Sequence, residues 1–225
     1  MTKGEPKAAG DGARRKHAAG EATRVALMEA AEKLFAERGI DAVTLREIRL
    51  AAGQSNTSVI GYHFASREGL VRSLIEHRHA GMNADREIML AQMREDRTEA
   101  DPRAVVWLIV RPLVNSIDRG EMFAPFLTRL AENPDARRVY WPDHIDDVWS
   151  SDEMERLVDA SIQDLPERIR RGRTFQLYRS VLTVLGDRAR TGRPTSEAQL
   201  HNYVDGWVGL LTAPVSYETR ALLED

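Results

Sequence analysis

The chain has 225 residues and no cysteine. Structural disulfides, thiolate metal sites and a cysteine nucleophile are therefore excluded, and a reducing compartment, the cytoplasm, is expected. The length suffices for one large domain or two small ones with cores of their own, and no run approaches ~18 consecutive apolar residues, so neither a membrane span nor a signal segment is expected.

The formal net charge of −3 hides an asymmetry, because residues 1–80 carry 13 Lys and Arg against 10 Asp and Glu and the remainder carries 19 against 25. A mildly basic front and an acidic rear suit a front end that meets a polyanion. Residues 1–20 mix Gly, Ala and charge without an apolar repeat and read as a disordered basic arm. Its Arg14, Arg15 and Lys16 either follow a nucleic-acid backbone or stay solvated.

From about Ala22 the pattern turns helical, with Leu27, Ala31, Leu34 and Phe35 on one face and Gly39 as the stop. Thr44-Leu45-Arg46-Glu47 is a capping box that opens a short second helix, Leu45 to Ala52. Gly53 ends it, Gln54-Ser55-Asn56 makes the turn, and Asn56 is the expected N-cap of a third helix, Thr57 to Phe64. Ser66 caps a long fourth helix reaching roughly Glu95. Asp101-Pro102 starts a fifth, which Pro112 should interrupt and bend. Further helices are expected over 121–132, 151–164, 166–190 and 195–212, and no apolar alternation persists long enough for a strand. The expected fold is all-α.

Two short helices joined by a Gly-containing turn and braced by a preceding helix describe a helix-turn-helix unit, whose second helix is shaped to enter a major groove. On that helix and its flanks, Asn56, Thr57, Ser58, Tyr62 and His63 offer hydrogen-bonding groups to bases or backbone, and Val59 and Ile60 offer apolar surface. Leu34, Phe35, Ile48 and Phe64 read as core.

The run Ala30-Ala31-x-x-Leu34-Phe35-Ala36-Glu37-x-Gly39, followed by Thr44-x-Arg46-x-Ile48, Ala51-Ala52-Gly53, Tyr62-His63-Phe64 and Ser66-Arg67-Glu68-x-Leu70, resembles the DNA-binding domain of the TetR/AcrR family of bacterial regulators. The resemblance implies that Thr44 holds phosphate, that Arg46 reaches a guanine, and that Tyr62 and His63 grip the DNA backbone. Arg67 stands for the usual lysine on a phosphate, and Thr57, Ser58 and Val59 occupy the reading end of the recognition helix. Each has a plainer alternative: Thr44 as a cap alone, Arg46 as a solvated charge, Tyr62 as a side chain packed on the first helix. Three positions depart from the family pattern. The turn after Gly53 is one residue longer, Gly61 replaces a larger residue, and Arg49 replaces a small one, where it either adds a phosphate contact or stays exposed.

One helix-turn-helix covers too little DNA for tight binding, so a homodimer on a double-stranded operator is expected. Tyr178, Val181, Leu182 and Leu185, with Leu200, Tyr203, Val204, Trp207 and Leu211, form two helical apolar stripes. They are assigned to a dimer interface, with intramolecular core as the alternative; the resemblance implies a four-helix bundle there. Trp107, Phe123, Phe126, Tyr140, Trp141 and Trp149, with Arg111, Asn115 or His144, are candidates to line a pocket for an unknown small-molecule effector. The expected division is residues 1–20 as arm, 21–66 as the DNA-binding domain and 67–225 as the ligand-binding and dimerisation domain.

The resemblance implies a repressor released from a palindromic operator by its effector. The alternative is a helix-turn-helix architectural protein without small-molecule control. No enzyme is expected, nor any cofactor or metal. His77 and His79 diverge on their helix, Asp143, His144, Asp146 and Asp147 lack an identifiable third partner, and no nucleophile elbow, P-loop or dinucleotide fingerprint occurs.

Overall fold

A computed structural model describes residues 9–141 and 152–223. Among them the chain forms eleven helices and no strand: α1 (Ala9–Arg38), α2 (Leu45–Ala51), α3 (Val59–Phe64), α4 (Arg67–Asp96), α5 (Pro102–Asp118), α6 (Phe123–Glu132), α7 (Pro134–Tyr140), α8 (Asp152–Ser161), α9 (Glu167–Thr191), α10 (Glu197–Thr212) and α11 (Tyr217–Ala221). No helix of the described residues is long and apolar enough to cross a membrane.

Side-chain caps begin most of these helices. The Ser66 hydroxyl accepts the Gly69 amide at 3.0 Å, Asp101 accepts the Arg103 amide with Pro102 at the first helical position, and Ser196 accepts the Gln199 amide. Each satisfies an amide that the helix itself leaves unpaired. The same signal opens α7, which the apolar pattern alone does not announce. Asn133 Oδ1 accepts the amides of Asp135 and Ala136, and Pro134 follows it.

Two expectations about elements are corrected. Helix α1 begins at Ala9, so residues 9–20 are helical rather than a disordered arm. The Ala, Arg and Lys residues of this segment propagate a helix already nucleated by the packed segment behind them. Helix α5 runs through Pro112 without interruption. Its face of Val105, Val106, Leu108, Ile109, Val110 and Leu113 is buried, and that packing offsets the one amide that Pro112 lacks.

One continuous apolar core joins front and rear. Leu27, Met28, Ala31 and Phe35 of α1 are buried, and Phe35 meets Phe126 of α6 with ring centroids 6.2 Å apart. Helix α6 packs against both α1 and α9, and α10 packs against both α5 and α9. The stripes assigned to a dimer interface belong to this core. Tyr178, Val181, Leu182, Leu185, Leu200, Val204, Trp207 and Leu211 are all buried within the single chain, and Tyr203 is half-buried, packed against Trp207. Periodicity locates a buried face without saying which neighbour buries it, and here the neighbours are α5, α6 and the other stripe.

Candidate nucleic-acid interface

The helix-turn-helix is held by a dense set of local bonds. At the start of α2 the Glu47 amide donates to the Thr44 hydroxyl at 3.2 Å, while the Thr44 amide and hydroxyl donate to the Glu47 carboxylate at 2.7 and 2.6 Å. Arg38 at the end of α1 donates to the other Glu47 oxygen at 2.8 Å. Together the Thr44 bonds and Arg38 hold the Glu47 carboxyl down at about 2. The capping role of Thr44 is thus met, with its hydroxyl proton engaged by Glu47; the residue is also exposed.

The other end of α2 closes in a Schellman motif. Gly53 has φ of +68°, its amide donates to Leu50 O, and the Gln54 amide donates to Arg49 O. Arg49 braces the longer turn: its Nη1 donates to the carbonyls of Gln54 at 2.6 Å and Ser55 at 2.9 Å. The departure at position 49 and the extra turn residue therefore explain each other, since the added peptide carbonyls find their donor in that guanidinium. Asn56 Oδ1 accepts the Ser58 amide at 3.0 Å, an Asx turn leading into α3, whose first α-helical residue is Val59 and not Thr57.

Helix α3 is amphipathic. Val59, Ile60 and Phe64 are buried, so Val59 packs into the core and is not available to bases. Asn56, Thr57 and Ser58 are exposed before the helix, Tyr62 is 84% exposed on it, and His63 is half-buried, its ring in a T-shaped contact with that of Tyr62 at 4.9 Å between centroids. Arg46 in the first turn of α2 is exposed and has no hydrogen bond or ion pair among the described residues. The exposed set thus presents one guanidinium, two aliphatic hydroxyls, one amide and one phenol, a mixture suited to base edges and phosphates.

Arg67 is placed differently from expectation. Its Nη1 donates to Ile40 O at 2.8 Å and its Nη2 to Val43 O at 2.6 Å, so the guanidinium ties the start of α4 to the α1–α2 connection. The junction it spans is tight. Ala65 has φ of +62° and ψ of −41°, and the Ser66 amide donates to Phe64 O at 2.7 Å, which makes Ala65 the centre of a γ-turn of positive φ. Directly beyond it, a Cβ on Gly69 would lie 2.0 Å from Phe64 O, so only glycine fits.

The residues expected to line an effector pocket take different settings among the described residues. Phe123 and Phe126 are core, stacked on each other at 5.9 Å. Trp107 is covered by Arg111, 4.6 Å from its ring, and contacts His201; Arg111 also pairs with Glu197 of α10. Asn115 donates to Asp85 at 3.2 Å. Tyr140 and Trp141 are half-buried against the core, and His144 and Trp149 lie outside the described residues. A shallow hollow is lined by Thr128, Ala131, Glu132, Arg179, Leu182 and Thr183 between α6 and α9. Among the described residues no three His, Asp or Glu side chains group as a metal site.

The sequence reading missed a buried charge network behind the helix-turn-helix. Glu32 of α1 is 2% exposed and meets Arg78 of α4, which also reaches Glu121 in the α5–α6 turn at 3.0 Å. Glu121 in turn accepts from Arg119 at 2.9 Å and from the Ser116 hydroxyl at 2.5 Å. The only signal in the sequence was Glu32 lying beside the apolar stripe of Leu27, Ala31 and Leu34.

An all-helical chain with a braced turn, an apolar-backed short helix and an exposed polar front is a helix-turn-helix DNA-binding protein. Residues 27–74 match the sequence model of the family described as bacterial regulatory proteins, tetR family. The amino-terminal unit is that of a DNA-binding transcription regulator of this family, and the matched stretch runs from α1 into α4. A comparison with curated proteins gives no match.

Proposed function

We propose that the protein is a repressor that binds a twofold-symmetric operator as a homodimer and is released by a small molecule held in residues 67–225, the DNA-contacting unit lying in residues 21–66. The observation that carries this reading is the division of α3 and its approach. Val59, Ile60 and Phe64 anchor it, while Arg46, Asn56, Thr57, Ser58 and Tyr62 face solvent. In this reading Arg46 and Thr57 meet bases, and Thr44, Tyr62 and His63 meet phosphate or sugar.

Release requires that the effector bind better to a chain whose two recognition helices are wrongly spaced for DNA. The bonds of Arg67 to Ile40 and Val43, and of Arg78 to Glu32, support α4 as the lever, because they bind the helix-turn-helix rigidly to it. The dimer surface is assigned to the outward faces of α9 and α10, since their inward faces are already buried. Phe175, 58% exposed on α9, and the exposed Gly206 and Gly209 of α10 favour close approach of a second copy.

Selection of bound sites from random double-stranded DNA, repeated with a bacterial metabolite extract, tests the reading. The expected result is a site with twofold symmetry, half-sites about one helical turn apart or a multiple of it, and loss of binding in the extract. Arg46→Ala and Thr57→Ala should relax preference at defined positions. Uniform weakening on all sequences would place both on the backbone. A chain with no preferred duplex would end the proposal.

A further inference from the structure

The buried face of α4 carries one residue that stability alone does not explain. Met82, Arg86, Leu90 and Met93 follow one another along that face, and all four are buried. Three are apolar and the fourth is a guanidinium. Arg86 makes one hydrogen bond, from Nη1 to Asn83 Oδ1 at 3.0 Å, and its Nε–H is buried without an acceptor among the described residues. No carboxylate among the described residues forms an ion pair with it. Asp85 acts on it through space, but that carboxylate accepts from Asn115 at 3.2 Å and lies 3.5 Å from Arg119.

A cation taken out of water without a paired anion is among the most unfavourable groups a core can hold. Burial accordingly pulls the Arg86 guanidinium below its ordinary value. Tyr178 of α9, itself 5% exposed, acts on the same charge through space, and Asn83 is held in turn by His79, with Asn83 Nδ2 and His79 Nδ1 3.2 Å apart. His79, Asn83 and Arg86 thus form a polar line on α4, positioned before any anion arrives.

We propose that Arg86 is the anchor for the carboxylate of an amphipathic organic acid, which lies between α4 and α9 with its apolar body on Met82 and Leu90. The inference rests on the proposed effector control and names the chemistry of the effector. A guanidinium offers a planar fork matched to a carboxylate, and methionine adapts its shape to an apolar guest. A simple inorganic anion would leave the apolar flanks unused.

Thermal unfolding of the full chain tests this, with straight-chain monocarboxylates from acetate to dodecanoate and phenylacetate as probes. Their primary amides and inorganic phosphate at equal ionic strength serve as controls. At a hundred times its Kd, the best acid should raise Tm by about 5–10 °C, with no rise from its amide. Arg86→Met, which fills the same volume without charge, should fold with a Tm no lower than that of the parent and lose the acid response. Arg86→Lys keeps the charge without the fork and should respond at least ~10-fold more weakly. No shift with any acid, an equal shift with phosphate, or a shift that survives Arg86→Met overturns the proposal. If metabolite extract frees operator DNA from the parent and from Arg86→Met alike, effector control stands and Arg86 is not its anchor. If extract frees DNA from neither, and acids also fail to shift Tm, both readings fall.

Discussion

Arg78 of α4 donates through Nε to Glu32 of α1 at 2.6 Å and through Nη2 to its other oxygen at 3.3 Å, while the Met122 amide donates to that second oxygen at 2.6 Å. One buried carboxylate therefore joins the helix that braces the recognition unit, the helix beneath it, and the start of α6. Burial pushes the Glu32 carboxyl above its ordinary value against the pull of Arg78 and the amide. Such a group is stable only with every partner in place, so the three elements are held as a unit.

Arg78→Met should lower unfolding free energy by about 3–5 kcal/mol, because Glu32 and Glu121 are left facing each other without their cation. Urea denaturation measures it. Adding Glu32→Leu to that variant should recover part of the loss, since the uncompensated charge is then gone. A double variant as unstable as the sum of the singles would show that the pair does not act together.

Glu47 sets a pH dependence of definite sign. Its carboxyl is held at about 2 in the folded chain by Thr44 and Arg38. The contribution is fully present above the ordinary carboxylate range near 4.5 and is lost as pH falls through about 2. The stability difference between parent and Glu47→Gln should be steady at neutral pH and shrink as pH drops from 4.5 toward 2. A difference that stays constant over that window would assign the cap to the Thr44 hydroxyl alone.

The α3–α4 junction yields two substitutions of opposite effect. Gly69→Ala puts a methyl 2.0 Å from Phe64 O, a backbone atom that cannot turn aside, and should destabilise by about 1–3 kcal/mol. Ala65→Gly removes the steric cost of φ +62° and should stabilise by up to about 1 kcal/mol. Paired thermal melts decide both signs, and a lowered Tm for Ala65→Gly would mean that the turn is unstrained.

Arg67→Ala separates bracing from phosphate contact. Losing two charge-assisted bonds to Ile40 and Val43 should cost about 1.5–3 kcal/mol of stability. The slope of log affinity against log salt on duplex DNA should stay unchanged. A slope shallower by about one unit would return Arg67 to the phosphate contacts.

Much of the local architecture was readable in advance, because capping and turn chemistry act over three or four residues. Thr44 with Glu47, Gly53, Ser66, Asp101-Pro102 and the all-helical pattern all declare themselves to a reader of the chain. What each face touches is a different kind of information, since it depends on residues tens of positions away. The stripes of α9 and α10 announced burial but not that α5 and α6 supply it, and Val59 looked as open as Thr57 until the core closed over it. The arginines show this most plainly. Arg46, Arg49, Arg67, Arg78 and Arg86 are one residue type on neighbouring helices, yet one faces water, two hold backbone carbonyls, one is clasped by carboxylates and one lies buried beside a tyrosine. A guanidinium has no intrinsic preference among these settings, and packing alone assigns them.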